Sequence, residues 1–196
     1  AGYGTFIEQA YAAGCRNLQL DDCSWGVLVD PRAELFFGTD QEGLKKIKAL
    51  LLEINNRVLD AAPADLTINT HVCRGNFHST WACEGGYDDV ADALLAQEHV
   101  NAFFLEFDDY RSGGFEPLAS VPAGKKVVLG LITTKHAQLE EKAKVIERIH
   151  EAAQYVPLEN FCLSPQCGFA SCEIGNKLTE NEQWAKIALV KEIAEE

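Results

Sequence analysis

The sequence has no methionine and no long apolar run, and both absences limit what the chain can be. None of its 196 residues is a methionine, not even the first, which predicts a fragment of a longer protein. No apolar run approaches the roughly 18 residues that cross a bilayer. The N-terminal residues also lack the basic region followed by an apolar region that marks a secretory signal. We therefore expect a cytoplasmic protein without a membrane partner.

Basic residues are scarce as well. The chain has 17 Lys and Arg against 30 Asp and Glu, which gives a formal net charge of -13. A surface of this sign repels phosphate backbones, so a nucleic-acid partner is not expected. With 196 residues, of which 47% are hydrophobic, the chain is large enough for one core and too short to need two. Residues 1–196 are therefore interpreted as a single domain.

The seven cysteines are an odd number in a chain without a recognisable secretion signal. A disulfide framework is the weaker interpretation, and reduced thiols, some of them metal ligands, are favoured. His71 and Cys73 give the clearest indication, because they end a strand-like run over residues 67–73. Side chains two positions apart on a strand point to the same side, so an imidazole and a thiolate would be presented together.

Strand-like runs alternate with amphipathic helical stretches along the chain. The pattern predicts strands over residues 17–22, 67–72, 102–107, 126–132 and 161–164. It predicts helices over residues 5–13, 41–61, 87–97, 139–155 and 181–196. Such alternation is typical of parallel βαβ units with right-handed crossovers, so the predicted fold class is α/β.

About five such units fit two architectures. A (β/α)8 TIM barrel needs eight strands and usually about 250 residues, so the chain would be its C-terminal part. The alternative is a complete, open, doubly wound sheet. The positions of the polar residues favour the barrel, because barrel enzymes carry their sites at the C-terminal ends of the strands. The residues at those ends are Asp21, His71, Cys73, Glu106, Thr133 and Cys167.

Two thiolates, an imidazole and a carboxylate at these strand ends would suit zinc. A thiol bound to zinc loses its proton near neutral pH and keeps enough electron density to attack an alkyl carbon. Spacing alone leaves two other interpretations open. One is a structural zinc held by cysteines only, and the other is no metal at all. The cysteines of that structural site would be Cys73, Cys83, Cys167 and Cys172.

Four segments resemble, in order, the catalytic domain of cobalamin-independent methionine synthase, and more closely the short bacterial relatives that consist of that single barrel. They are residues 71–76 (HVCRGN), 105–109 (LEFDD), 130–135 (GLITTK) and 164–169 (SPQCGF). The resemblance implies a zinc-dependent methyltransferase that moves a methyl group from an N5-methyl folate to homocysteine and so forms methionine. It also implies the zinc ligands, which are His71, Cys73, Glu106 and Cys167.

The resemblance further implies roles for three polar residues. Asp21 corresponds to the residue that holds the amino group of homocysteine, although a helix cap or a salt bridge would also explain it. The family's Asp-x-His proton donor is replaced by Thr133-Thr134-Lys135-His136, so His136 is the candidate general acid with a shift of one place. Lys135 is a candidate for binding an anionic part of the substrate. Residues 22–38 are expected to form a loop over the site.

Several alternatives remain open at this point. Related barrels transfer methyl groups from corrinoid proteins or to coenzyme M, and uroporphyrinogen decarboxylase relatives use the barrel without a metal. A non-catalytic, zinc-stabilised barrel is a further possibility. Apart from the small-molecule substrates, the expected partner is the missing N-terminal half of the barrel, because an incomplete barrel leaves two strand edges unpaired.

Overall fold

Five parallel strands form one sheet in the computed structural model, which describes residues 2–196. The strands are β1 (Asn17–Asp21), β2 (Thr67–Val72), β3 (Ala102–Glu106), β4 (Lys126–Ile132) and β5 (Phe161–Pro165). Their order in the sheet is the same as their order in the sequence. A doubly wound sheet reverses its strand order, whereas a barrel does not. The sheet is therefore part of a (β/α)8 barrel, and the open doubly wound alternative is wrong.

Helices connect the strands. They are α1 (Gly2–Ala12), α2 (Cys23–Leu28), α3 (Ala33–Phe37), α4 (Gln41–Leu59), α5 (Lys142–Ala152) and α6 (Glu180–Ala194). Side chains mark where the two longest helices begin. Asp40 accepts a hydrogen bond from Gly43 N at the start of α4, and Thr179 forms a capping box with Glu182 at the start of α6. Within residues 2–196, no helix is long and apolar enough to span a membrane.

Two helix predictions differ from the structure. The predicted helix over residues 87–97 is a 3₁₀ turn (Asp88–Val90) followed by a single π-helical turn (Ala91–Leu95). The predicted helix over residues 139–155 is confined to α5. Further 3₁₀ turns lie at Tyr110–Ser112, Glu116–Ser120 and Leu158–Asn160. Apolar spacing finds a buried helical face but does not distinguish α from π hydrogen bonding.

Residues 22–38 do not form the predicted loop over the site. They fold into α2 and α3, and Trp25 of α2 is fully buried in the core. The helix begins where Asp22 accepts a hydrogen bond from Ser24 N. Gly26 lets it approach β2 closely, because a Cβ at that position would lie 2.4 Å from the carbonyl oxygen of Cys73. The segment therefore packs against the end of β2.

The core lies mainly around the three inner strands, β2, β3 and β4. Phe103 and Leu105 of β3 and Val127 and Leu129 of β4 are almost completely buried. In contrast, β1 and β5 are largely half-buried or exposed, and neither pairs with a second strand within residues 2–196. Open edges of this kind are expected for part of a barrel.

A buried carboxyl group lies beside α4. Glu98 is 1% exposed, and its Oε1 accepts a hydrogen bond from Asn55 of α4, which also donates to Asp22. Burial, together with the charge of Asp22, raises the pKa of Glu98 to about 7. Because the folded protein holds this proton more tightly than the unfolded chain, stability is lost as the pH rises from the unfolded pKa through about 7.

We therefore predict that Glu98→Gln stabilises the protein at about pH 8 by roughly 1–3 kcal/mol, and that the gain disappears near pH 4. The amide keeps an acceptor for Asn55 but carries no charge that burial would penalise. Urea unfolding at both pH values measures the effect. Glu53→Gln, on the exposed face of α4, is the matched control. Equal stability of wild type and Glu98→Gln at pH 8 would contradict the prediction.

Candidate metal centre

Three strands bring the four predicted ligands together. His71 lies near the end of β2, Cys73 follows that strand, Glu106 ends β3, and Cys167 follows β5. One potential ligand atom from each of the four residues lies within 4.8 Å of the others. Because parallel strands end at a common edge, residues that are distant in sequence meet here.

The close approach of β5 depends on a glycine in β4. A Cβ at Gly130 would lie 2.8 Å from the Cα of Gln166 and 2.9 Å from the carbonyl oxygen of Leu105. The pairing of β4 with β5 also shifts register between Gly130 and Ile132. The glycine and the irregularity together let the segment that carries Cys167 close over the end of the sheet.

The imidazole of His71 is oriented by a carboxylate. Its Nδ1 lies 2.8 Å from Oδ1 of Asp21 on β1, whereas its buried Nε2 has no hydrogen-bond partner among residues 2–196. The nearest carboxylate oxygen to Nε2 is Oε1 of Glu106, at 3.5 Å, which is too long for a good hydrogen bond. A histidine held through Nδ1 with Nε2 free is the arrangement typical of a metal ligand.

Glu106 is fully buried, and each of its carboxylate oxygens has a neighbour. Oε1 accepts a hydrogen bond from Arg74 N at 3.2 Å, and Oε2 lies 3.4 Å from Nη2 of Arg111. The hydroxyl of Tyr87 bonds to the backbone of Glu106. These contacts fix the carboxylate in a place where an unpaired charge would be costly.

Arg111 also organises the rim of the site. Its guanidinium, which is buried, contacts Asp108 at 2.8 Å and also binds Asp109, and it stacks on the ring of Trp81. Arg111 therefore forms a local ion-pair cluster with these two carboxylates at the rim of the site. Its contact with Glu106 was not predicted, because no sequence pattern signals it.

The two sulfurs lie 3.9 Å apart, and Gly75 N donates a hydrogen bond to the sulfur of Cys73. The hydrogen bond with Cys73, together with the positive His71, lowers the pKa of Cys167 despite burial. The same bond and burial raise the pKa of Cys73. Burial alone would lower the pKa of His71, but Asp21 and Glu106 raise it to about 10. His71 is therefore protonated more readily than a free imidazole, and Cys73 ionises less readily than a free thiol.

This donor set fits zinc. Two thiolates, one imidazole nitrogen and one carboxylate oxygen are ligands that zinc accepts in tetrahedral sites, and the free Nε2 of His71 lacks only an acceptor or a cation. The alternative site made of cysteines alone is not assembled within residues 2–196. Cys83 and Cys172 lie outside the group, and Cys172 is exposed.

Asp21 lines a cavity of about 380 Å³ together with His71 and Cys167. Its contact with His71 is the salt bridge that the sequence left open as an alternative. Its side chain is also 60% exposed, so the carboxylate faces the cavity as well. Binding of a substrate amine by Asp21 stays a prediction.

Lys135 and His136 occupy different surroundings. The ammonium of Lys135 donates to Oδ1 of Asn76 at 2.6 Å and to the carbonyl of Gly75 at 3.2 Å, and burial lowers its pKa. His136 is exposed and lines a separate cavity that contains none of the four candidate ligands. The structure therefore places Lys135 beside the metal-site loops and does not bring His136 into the group. Both functional roles stay predictions.

Residues 12–195 match the family model described as "Cobalamin-independent synthase, Catalytic domain". Two Bacillus subtilis (strain 168) proteins, the uncharacterized proteins YxjG and YxjH, are 48% and 50% identical to this chain. Each alignment covers 98% of this chain and 51% of the relative. The chain thus spans about half the length of these relatives.

Two solved structures are also similar. One is the crystal structure of the "Putative Vitamin-B12 Independent Methionine Synthase" from Listeria monocytogenes, whose sequence is 34% identical to this chain. The structural match has a TM-score of 0.76 and covers 98% of this chain and 52% of the Listeria chain. The other is a B12-independent methionine synthase from Shewanella sp. W3-18-1 in complex with selenomethionine, whose sequence is 18% identical to this chain. The structural match has a TM-score of 0.70 and covers 98% of this chain and 51% of the Shewanella chain. At that identity the second likeness supports the fold alone.

The protonation of the site leads to a prediction about metal binding. Because zinc must displace protons from His71 and Cys73, we expect the apparent zinc affinity to rise at least about tenfold between pH 6 and pH 8. Competition with a chromophoric chelator measures it. Cys73→Ala and Cys167→Ala should each weaken binding strongly, whereas the exposed Cys162→Ala should not. Zinc retained at full affinity by Cys73→Ala would contradict this assignment.

Proposed function

This chain belongs to the family of the cobalamin-independent synthase catalytic domain, and from that premise we propose that it is the C-terminal part of a zinc-dependent methyltransferase barrel. The proposed reaction transfers a methyl group from an N5-methyl folate to the thiol of homocysteine and forms methionine. The proposal rests on the close group of His71, Cys73, Glu106 and Cys167, in which the buried Nε2 of His71 has no hydrogen-bond partner among residues 2–196.

When bound, zinc would lower the pKa of the substrate thiol and keep it as a thiolate near neutral pH. The protein's own residues set the geometry. Asp21 holds the imidazole of His71 through Nδ1, and Arg111 and Arg74 N hold the two oxygens of Glu106. The cavity beside Cys167 then has room for a small thiol, and Asp21 offers a carboxylate to its ammonium group.

The transfer itself is a displacement at carbon. The substrate sulfur forms a bond to the methyl carbon while the bond from that carbon to the folate nitrogen breaks, and the leaving nitrogen takes a proton. Most of the acceleration would come from an activated nucleophile and its alignment with the methyl group. His136 is the candidate donor of that proton.

Completion of the barrel is part of the proposal. Among residues 2–196 no second strand pairs with β1 or with β5, and the relatives are about twice as long as this chain. We propose that further strands, equivalent to the half of the relatives that this chain does not span, close the barrel and complete the substrate site.

The assay for the proposed reaction is methionine formation. Zinc-loaded protein is incubated with homocysteine and a panel of methyl donors, alone and mixed with the half of the Listeria relative that this chain does not span. We expect methionine from methyl folate, a loss of at least about 100-fold on Cys167→Ala, and no loss on Cys162→Ala. Methionine formation that is unaffected by zinc removal would contradict the proposal. If product forms only with a corrinoid methyl donor, or with coenzyme M as the acceptor, the proposed substrates would be wrong but the proposed zinc site would stand.

The general-acid prediction for His136 needs a test of its own. A proton donor contributes about 10²–10⁴ in rate, so His136→Ala should cost that much with methyl folate. It should cost little with a sulfonium methyl donor, whose leaving group needs no proton. His150→Ala, on α5, is the control. Full activity of His136→Ala with methyl folate, or equal losses with both donors, would refute the role.

A further inference from the structure

The two candidate cysteine ligands lie on separate loops, and one side chain joins those loops. Cys73 begins the loop after β2, and Cys167 lies in the loop after β5. Asn76 lies between them and is 8% exposed. We propose that Asn76 is a positioning residue that sets the spacing of Cys73 and Cys167 for metal binding. The inference rests on the proposed metal site.

Every hydrogen-bonding position of the Asn76 carboxamide is filled. Its Nδ2 donates to the carbonyl of Gly168 at 2.5 Å and to Oγ of Ser171 at 2.8 Å. Its Oδ1 accepts from Lys135 at 2.6 Å and from Nδ2 of Asn176 at 2.9 Å. One side chain therefore ties the loop of Cys73 to the loop of Cys167, and it also reaches the end of β4 through Lys135.

Only an amide satisfies this pattern. An ammonium group can only donate, so Lys135 requires the oxygen of Asn76 to face it, and this fixes the nitrogen toward Gly168 and Ser171. An aspartate would keep the acceptor but lose both donated bonds to the loop of Cys167. An alanine would lose all four and leave the buried ammonium of Lys135 with only the carbonyl of Gly75.

A second set of contacts runs alongside Asn76. Oδ1 of Asn176 accepts from Ser79 N at 2.8 Å, Oγ of Ser79 accepts from Lys177 N at 2.8 Å, and His78 Nδ1 lies 3.2 Å from the carbonyl of Gly175. His78 and Ser79 both adopt positive φ angles, 45° and 65°. Backbone in this region is unfavourable for such residues and persists where surrounding bonds hold it. These contacts join the loop after β2 to the loop after β5.

The consequence concerns metal affinity more than folding. With Asn76 removed, the two loops keep their strands and the contacts of His78 and Ser79. They lose the three bonds from Asn76 that join them near the sulfurs, which lie 3.9 Å apart. Residues that orient metal ligands without touching the metal typically affect affinity about 10–100-fold. We expect Asn76→Ala to weaken zinc binding by that factor, and Asn76→Asp to weaken it because its donated bonds are lost.

The experiment compares zinc dissociation constants, by chelator competition at fixed pH, for the wild type, Asn76→Ala and Asn76→Asp. Asn181→Ala, at an exposed position of α6, should match the wild type. Cobalt(II) provides a second reading, because its thiolate charge-transfer band should weaken in Asn76→Ala if one sulfur is displaced. Thermal unfolding of the metal-free proteins separates a loss of folding from a loss of positioning.

The inference is overturned if Asn76→Ala binds zinc like the wild type, or if it lowers metal-free stability without changing the dissociation constant. If Asn76→Ala does not fold, Ser171→Ala removes a single partner of Asn76 and takes its place, with a smaller expected loss and the same criterion. Failure of the wild type to bind zinc would instead refute the proposed function. A wild type that binds zinc through Cys73, with an unaffected Asn76→Ala, would refute this inference alone.

Discussion

The parallel pairing of the strands is the constraint on which the site depends. In the register of the sheet, His71 lies beside Asp21 on one side and Phe104 on the other, and Glu106 lies beside Gly130. All the strand ends therefore face the same way, and the residues that follow them meet in one place. A slip of one residue in β2 would turn His71 to the opposite face of the sheet and dissolve the group.

Because the site is buried, its charged groups need compensating partners within the protein. Two thiols and a carboxylate with little solvent would be strongly unfavourable as three isolated anions. The protein compensates with cations and donors around them: Arg111 beside Glu106, Arg74 N on the same carboxylate, and Gly75 N on the sulfur of Cys73. The pKa values of His71 and Cys73 are raised, so both groups favour their protonated forms, and a dication would compete with those protons. The group could therefore hold a metal ion.

Much of this could be predicted from the sequence. The strands over 67–72 and 126–132 were predicted to the residue, because alternation and buried apolar runs are strong local signals. The closeness of the four candidate ligands followed from the topology of parallel strands and from family resemblance. The loop prediction for 22–38 failed because the burial of Trp25 depends on tertiary packing. The bonds of Arg111 to Glu106 and of Asn76 to Gly168 join distant segments and have no periodic signature in one sequence.

The central claim is that His71, Cys73, Glu106 and Cys167 bind one zinc ion that also takes the substrate sulfur. X-ray absorption spectroscopy of the zinc-loaded protein, with and without homocysteine, tests it directly. The account predicts two sulfur ligands at about 2.3 Å and two nitrogen or oxygen ligands at about 2.0–2.2 Å, with a third sulfur after homocysteine is added. Four sulfurs at the start, or an unchanged sulfur number after the thiol is added, would contradict it.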